Sequence, residues 1–189
     1  MSGIIPALSL GLLAGGRASR LGGADKAWAV YRGQALIERT LAAVAGQHPF
    51  AACFVSANRS GERYAALGLQ PVPDRIDGFP GPLAGIDALL AACTTPLLLT
   101  VPVDLRLIPH DLVAGLLAAG EGGAVAHDAS GLQPLVALWP VGRARVAVAE
   151  AFAGGQTAVH RVVNALALPS VRFADTQFDN LNTPDDFST

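Results

Sequence analysis

The sequence has few cysteines, few charges and no long hydrophobic run, and each shortage excludes a class of protein. Its 189 residues include only Cys53 and Cys93, both in apolar surroundings, which indicates two reduced core thiols. Charged residues make up 15% and the net charge is −2, so no overall basic field attracts nucleic acid or a membrane surface. Apolar runs fall well short of the roughly 20 residues that span a bilayer, and residues 4–13 lack the flanks of a signal peptide. We therefore expect a cytoplasmic protein.

Two well-known phosphate-binding loops are absent as well. A Walker A loop requires a Gly-Lys dipeptide, and the sequence contains none. A dinucleotide-binding turn requires G-x-G-x-x-G, whereas the first glycine-rich turn has Gly15-Gly16 followed by Gly22-Gly23. Any phosphate site in this chain must therefore be of another kind.

The hydrophobic pattern predicts an α/β protein. Hydrophobic residues make up 51%, enough for one domain over residues 1–189 with a substantial core. Short apolar runs alternate with helical patterns, which is typical of a three-layer fold around a mostly parallel sheet, and we expect one antiparallel strand near residues 134–138. The predicted strands cover 8–13, 51–56, 70–72, 96–101, 124–127, 134–138 and 171–174, and the predicted helices cover 33–45, 62–67, 82–92, 111–119, 141–153 and 157–165.

The glycine-rich stretch at residues 12–26, LLAGGRASRLGGADK, directly follows the first predicted strand. Glycines at the end of a strand let backbone N–H groups approach an anion closely. Arg17, Arg20 and Lys26 supply positive charge. Arg20 can bind phosphate oxygens through two hydrogen bonds, and Lys26 provides a point charge. The stretch therefore predicts a loop that wraps a polyphosphate.

Carboxylates follow two further strands, at the edge where open α/β sheets bind ligands. In the segment PDRIDGFPGPLAG, Asp74 or Asp77 can accept the adjacent N1–H and N2–H groups of guanine, a pair that adenine and uracil do not present. Asp104 follows the apolar strand at 96–101. A carboxylate there is well placed to hold Mg²⁺ that keeps most of its waters and shares a nucleotide phosphate.

In this order, the segments resemble the molybdenum cofactor guanylyltransferase (MobA) family, within the MobA-like nucleotidyltransferases. The first loop resembles L-A-G-G-x-S-x-R-[ML]-G-x-D-K, and the second contains the family's G-P-L-A-G. Residues 102–109 resemble P-C-D-x-P-x-x-P, residues 131–140 resemble a strand beneath the acceptor side, and residues 180–184 match N-x-N-T-P. Matches in the family's order are far more specific than any single one.

The resemblance implies a Rossmann-like fold of the nucleotide-diphospho-sugar transferase type. It implies transfer of GMP from GTP to the phosphate of molybdenum-bound molybdopterin, with Mg²⁺ as cofactor and transient contacts with molybdoenzymes or other cofactor-assembly proteins. Catalytic roles fall on Lys26, Arg20 and Asp104, with Asp104 as the metal ligand. The implied nucleotide-binding residues are Leu13, Ala14, Gly15, Gly16, Lys26, Ser56, Asp74, Gly85 and Asp104. The implied acceptor-binding residues are Asn180, Asn182 and Arg161.

The chain departs from the family pattern at a few positions. Ser56 stands where relatives usually have an asparagine, although Asn58 lies close by. Arg106 replaces a proline and either contacts a phosphate or points to solvent. A segment on the acceptor side lacks the adjacent basic pair of many relatives, which leaves His160 or Arg161 to bind the pterin phosphate.

Three alternatives stay open. A cytidylyltransferase would make the cytosine dinucleotide cofactor, but cytosine offers one amino donor and no N–H pair to Asp74. Sugar-1-phosphate nucleotidyltransferases are usually longer, with room for a sugar pocket. A non-catalytic nucleotide- or cofactor-binding protein would not need Lys26 and Asp104, which are both intact.

Overall fold

The computed structural model describes residues 7–14, 25–76, 81–174, 177–181 and 186. The strands are β1 (Leu8–Leu13), β2 (Val30–Tyr31), β3 (Gln34–Ala35), β4 (Cys53–Ser56), β5 (Gln70–Val72), β6 (Leu97–Pro102), β7 (Ala124–Asp128), β8 (Gly131–Pro140) and β9 (Ser170–Arg172). The helices are α1 (Leu36–Ala45), α2 (Gly61–Ala65), α3 (Pro82–Ala92), α4 (Leu112–Leu117), α5 (Val141–Ala153) and α6 (Val159–Ala165), and a 3₁₀ turn covers Lys26–Trp28.

Seven strands form one sheet in the order β5-β4-β1-β6-β8-β7-β9. Six of them run in the same direction, and β8 is antiparallel to both of its neighbours. The predicted mostly parallel sheet with one antiparallel strand near 134–138 is therefore confirmed. β1 and β6 are fully buried, as expected of central strands covered on both faces.

Helices cover both faces of the sheet, which confirms the predicted three layers. On one face, apolar side chains of α1 and α4 pack with Leu10, Leu12 and Val101. On the other, α3, α5 and α6 pack with Leu98 and Trp139. The two cysteines are free thiols, with Cys93 buried and Cys53 half-buried. Across the described ranges, no helix is both long and apolar enough to cross a membrane.

The predicted helix at 33–45 begins too early. Gln34 and Ala35 instead form β3, which pairs with β2 in a two-stranded ribbon. Arg32 and Gly33 connect the two strands with φ angles of 52° and 80°, the positive values that a tight hairpin turn requires. A helix cannot contain that turn, so α1 begins at Leu36.

Other boundaries shift by a few residues, and β8 is longer than predicted. It runs from Gly131 to Pro140, and its register with β7 shifts between Val125 and Ala126, which leaves Pro134 outside the paired positions. A proline has no N–H to donate and is tolerated at such an irregularity. Asp111 is the N-cap residue of α4, and its side chain makes no cap hydrogen bond.

The shared direction of the strands determines where a site can lie. The carboxyl ends of β1, β4 and β6 meet at one edge of the sheet. The turn between β7 and β8 lies at this edge too, because β8 runs in the opposite direction. Residues that follow these strands are thereby brought close together although they are distant in sequence.

Candidate functional site

Lys26 and Asp104 form an ion pair at the carboxyl ends of the central strands. Lys26 begins the 3₁₀ turn that follows the glycine-rich stretch, and Asp104 lies two residues beyond β6. The distance from Lys26 Nζ to Asp104 Oδ2 is 2.6 Å, with 24% and 20% of the two side chains exposed. The structure thus brings two predicted catalytic residues into contact. The third, Arg20, lies outside the described residues, as do Gly15 and Gly16.

Helix α1 holds the loop that carries Asp104. The Arg39 guanidinium donates from Nη1 to the carbonyl of Leu105 at 2.6 Å and from Nη2 to the carbonyl of Arg106. Thr40 Oγ1 donates to the carbonyl of Val103 at 3.0 Å. Burial lowers the pKa of Arg39 from its ordinary value. Because the carbonyl groups on both sides of Asp104 are occupied, the backbone of this loop is firmly oriented toward Lys26.

A short stretch near the C-terminus lies antiparallel to the same loop. Leu181 N donates to the carbonyl of Asp104, and Arg106 N donates to the carbonyl of Asp179, both at 2.7 Å. These bonds flank a bridge between Leu105 and Asn180, which places the backbone of Asn180 beside the Asp104 loop. The companion asparagine, Asn182, lies outside the described residues.

Arg106 makes a contact that the sequence did not predict. Its guanidinium Nη2 lies 2.5 Å from Asp186 Oδ1. Arg106 is therefore paired with a carboxylate, which is neither of the two arrangements expected from the sequence. Eighty residues separate the two partners, so neither spacing nor periodicity could have indicated this pair.

Leu13, Ser56 and Gly85 pack together at the carboxyl ends of β1 and β4. Ser56 ends β4 and is 1% exposed, and Gly85 lies in the first turns of α3. A Cβ atom at Gly85 would lie 2.5 Å from Ser56 Oγ and 3.5 Å from Leu13 Cδ2. Helix α3 can approach the strand ends this closely only because residue 85 is glycine. Ala14, half-buried, directly follows Leu13.

Asp74 is held by a reciprocal pair of hydrogen bonds with Asn58. Asn58 Nδ2 donates to Asp74 Oδ2, and Asp74 N donates to Asn58 Oδ1, both at 2.8 Å. The carboxylate is exposed and oriented by this amide. The other acidic candidate of the same loop, Asp77, lies outside the described residues.

Arg161 shares only the edge of the sheet with the other candidates. Helix α5 starts at Val141, whose N donates to the carbonyl of Pro96, and runs along the sheet, so the segment from 154 to 158 lies toward the carboxyl-end edge. Arg161 is exposed in the first turn of α6. Lys26, Asp104 and Asn180 are therefore linked by direct contacts or hydrogen-bonded backbone. Arg161 shares no such link with them among the contacts of the described residues.

Comparison with known proteins identifies the family. Residues 11–170 match the model of the MobA-like NTP transferase domain. The chain belongs to this family. A molybdenum cofactor guanylyltransferase from Photobacterium profundum is 36% identical over 181 residues, which cover 93% of this chain and 91% of that protein. One from Cupriavidus necator is 35% identical over 192 residues, covering 94% and 93%.

A solved structure shows the same fold. Molybdopterin-guanine dinucleotide biosynthesis protein A from Archaeoglobus fulgidus matches with a TM-score of 0.69 and 20% identity, covering 95% of both chains. The predicted Rossmann-like architecture and the resemblance stated from the motifs are both confirmed. Nucleotidyltransferases of this family generally use a divalent metal ion.

One further carboxylate of this MobA-like domain was not singled out from the sequence. Asp128, fully buried at the end of β7, accepts five hydrogen bonds, from Ser130 N and Oγ, Gly131 N, Gln133 Nε2 and Phe178 N. Burial alone would raise its pKa, but these donors, led by Phe178 N at 2.6 Å, lower the pKa to about 2. Gln133 is one of the side chains that hold this buried carboxylate.

Proposed function

We propose that this chain is a Mg²⁺-dependent molybdenum cofactor guanylyltransferase. In this reaction an oxygen of the molybdopterin phosphate attacks the α-phosphorus of GTP. The bond between that phosphorus and the oxygen bridging to the β-phosphate breaks, and pyrophosphate leaves with the electron pair. The products are the guanine dinucleotide form of the cofactor and pyrophosphate. The Lys26–Asp104 pair, in a chain whose relatives bear this name, carries the proposal.

The acceptor needs no general base, because its phosphate is already ionised. Catalysis then consists mainly of positioning the two anions and neutralising charge on the leaving pyrophosphate. Lys26 provides an ammonium group at the end of the glycine-rich stretch. Its partner Asp104 keeps this group at the strand ends until phosphate oxygens replace the carboxylate as its acceptors. Arg20 is proposed to contribute a second cation from the same stretch.

The residues at this site fit a magnesium ion. The part of the chain that the structure describes holds no group of three or more His, Cys, Asp or Glu side chains that could ligate a metal. Mg²⁺ is commonly held by one or two carboxylates, several waters and substrate phosphates, so Asp104 alone is a sufficient protein ligand. Bound there, the ion would supply charge neutralisation at the nucleotide phosphates.

Asp74 is proposed to select guanine. Asn58 holds one carboxylate oxygen of Asp74 at 2.8 Å, which restricts the rotation of the group while leaving its outer edge exposed. A carboxylate so oriented can accept both N1–H and N2–H of guanine. Leu13, Ala14, Ser56 and Gly85 are proposed to line the neighbouring nucleotide pocket.

The acceptor side is proposed to include Asn180, Asn182 and Arg161. Asn180 is hydrogen-bonded through its neighbours to the Asp104 loop, so an acceptor held there lies next to the nucleotide phosphates. Since the reaction consumes GTP, we place it in the cytoplasm. Contacts with molybdoenzymes or other cofactor-assembly proteins are proposed to be transient.

Nucleotide binding is the first test. Calorimetry with GTP, CTP, ATP and UTP in the presence of Mg²⁺ should show a preference for GTP that Asp74→Ala removes. A preference for CTP would instead favour the cytidylyltransferase. If no nucleotide binds, whether the acceptor is absent or present, the proposed nucleotidyltransferase activity is contradicted.

Pyrophosphate release tests the catalytic roles. With GTP and molybdenum-bound molybdopterin, Lys26→Ala and Asp104→Ala should each lower the rate by about 100-fold or more, the usual cost of removing one charge-stabilising contact. Asp111→Ala is the matched control, because Asp111 is exposed and makes no cap hydrogen bond. Near-normal turnover in either site variant would contradict the role assigned to that residue.

A further inference from the structure

Lys26 is the first residue of a turn that is too short to be rigid without contacts from other elements. The 3₁₀ turn has three residues, and the glycine-rich stretch leads directly into it. One turn of 3₁₀ helix has weak internal hydrogen bonding, so its orientation must be maintained by contacts from outside. The catalytic role proposed for Lys26 requires its ammonium group to be placed within hydrogen-bond distance of phosphate oxygens.

We propose that Tyr64 is a positioning residue for Lys26, an inference that rests on the proposed function. Tyr64 is in α2, 38 positions after Lys26, and is fully buried. It acts on the turn through Asp25 and Trp28, the two residues on either side of Lys26-Ala27.

The first link joins Tyr64 to the start of the turn. Tyr64 donates its hydroxyl proton to Asp25 Oδ2 at 2.7 Å, while Asp25 Oδ1 accepts from Ala27 N at 3.2 Å and so caps the turn. Burial, followed by the bond to Asp25, raises the pKa of Tyr64 well above its ordinary value, so the phenol stays a donor. A hydrogen bond from a buried hydroxyl to a carboxylate is among the stronger side-chain bonds.

The second link joins Tyr64 to the end of the turn. The Trp28 ring lies 5.2 Å from the Tyr64 ring, centroid to centroid, at an angle of 35°. The Arg63 guanidinium lies 3.8 Å from the centre of the Trp28 ring. These contacts hold the Trp28 indole against Arg63 and Tyr64, two adjacent residues of α2. Tyr64 thus contacts both ends of the segment that carries Lys26.

The test separates the hydroxyl of Tyr64 from its ring. Tyr64→Phe keeps the packing on Trp28 but removes the donor to Asp25. We expect kcat for pyrophosphate release to fall by about tenfold, with a smaller change in KM for GTP, because a small misplacement of a charge affects the transition state most. Asp25→Asn removes a charged acceptor from the same link and should give a similar loss, which guards against a folding defect in one variant.

A double-mutant cycle distinguishes positioning from general destabilisation. In a Lys26→Ala background, Tyr64→Phe should have almost no further effect on kcat, because the group that it positions is gone. Tyr31→Phe is the matched control, since Tyr31 is 2% exposed and lies in the neighbouring ribbon. Its effect should be the same with and without Lys26. Equal losses from Tyr64→Phe in both backgrounds would overturn the inference.

The sequence allows a readout that does not depend on activity, because Lys26 is its only lysine. Protein containing lysine labelled with ¹³C at Cε gives a single lysine side-chain signal in NMR. Tyr64→Phe should shift this signal toward that of free lysine and narrow it, whereas Tyr31→Phe should leave it nearly unchanged. An unaltered signal in Tyr64→Phe would overturn the inference. If the unmodified protein releases no pyrophosphate, the proposed function fails, and the NMR result still decides whether Tyr64 positions Lys26.

Discussion

At the scale of single residues, Gly85 of α3 packs closely against Ser56 in the candidate site. A Cβ atom at position 85 would lie 2.5 Å from Ser56 Oγ and 3.3 Å from Ser56 Cβ. Ser56 cannot easily turn away, because it is 1% exposed at the end of β4. Helix α3 would have to move outward to accommodate even one methyl group.

We therefore predict that Gly85→Ala lowers the free energy of unfolding by about 1–3 kcal/mol, the usual cost of overpacking. Urea denaturation measures this change. Gly142→Ala is the control, because a Cβ atom there would meet nothing within 4 Å beyond its chain neighbours and the nearby helix backbone, and the residue is near the start of α5. Ser56→Ala should restore part of the stability lost in Gly85→Ala, since it removes the nearer atom. Equal stability of the two alanine variants would contradict the prediction.

Residue type and position after a predicted strand were enough to single out Lys26 and Asp104, which the structure brings into contact. The residues that support them could not be found in this way. Arg39 and Thr40 lie in a helix whose periodicity already accounts for their presence, and nothing in the sequence shows that they bind carbonyl groups 63 to 67 positions away. Supporting contacts of this kind depend on the tertiary fold.

At the scale of elements, the stretch from 177 to 181 connects two parts of the site edge. Phe178 N is bound by the Asp128 carboxylate at the turn between β7 and β8, and Leu181 N is bound by the carbonyl of Asp104 after β6. The stretch has little regular structure of its own. Its position, and that of Asn180 within it, therefore depends on these two anchors.

Asp128 makes this anchoring sensitive to pH. Its pKa is about 2 in the folded protein, below the ordinary value of 3.8. The stabilisation is therefore complete above about pH 4 and disappears as the pH falls toward 2, amounting to about 2 kcal/mol at neutral pH. Asp128→Asn should lower the free energy of unfolding at pH 7, and the difference from the unmodified protein should shrink as the pH falls from about 5 to 2.

Urea denaturation across this pH range measures the effect. Asp111→Asn is the matched control for the loss of one negative charge, because Asp111 is exposed and makes no side-chain cap. A difference between Asp128→Asn and the unmodified protein that stayed constant from pH 7 to 2 would show that the carboxylate charge is not what holds the stretch.

Elements with a clear period were predicted with correct bounds, and those without one were missed. The bounds of β1, α3 and α5 agree with the sequence pattern, because each is a compact apolar or amphipathic run. The ribbon of β2 and β3 has two residues per strand, too few to show alternation. For that reason β2 was not predicted, and β3 was absorbed into the predicted helix at 33–45.

At the scale of the whole molecule, the alternation of apolar runs predicted the fold class but not the order of the strands. The order β5-β4-β1-β6-β8-β7-β9 places β1 and β6 side by side, with Leu13 opposite Pro102. Lys26 and Asp104 meet because of this pairing, which joins positions 78 residues apart. Local periodicity contains no information on which distant strands pair.

Because the proposed ligands bind residues from several parts of the chain, they should stabilise the whole fold. At a concentration of MgGTP about 100 times its Kd, binding should add about 2.7 kcal/mol to the free energy of unfolding. For a protein of this size that corresponds to a rise in Tm of about 5–10 °C. Thermal unfolding followed by circular dichroism measures the rise.

The same experiment distinguishes the contribution of the metal ion from that of the nucleobase. GTP with a chelator should give a smaller rise in Tm than MgGTP, and Asp104→Ala should give the same smaller rise whether or not Mg²⁺ is present, because its only proposed protein ligand is gone. MgCTP should shift the Tm of the unmodified protein less than MgGTP does, and Asp74→Ala should abolish that difference. A larger shift with MgCTP would transfer the assignment to a cytidylyltransferase, and an equal response of Asp104→Ala and the unmodified protein to Mg²⁺ would place the metal elsewhere.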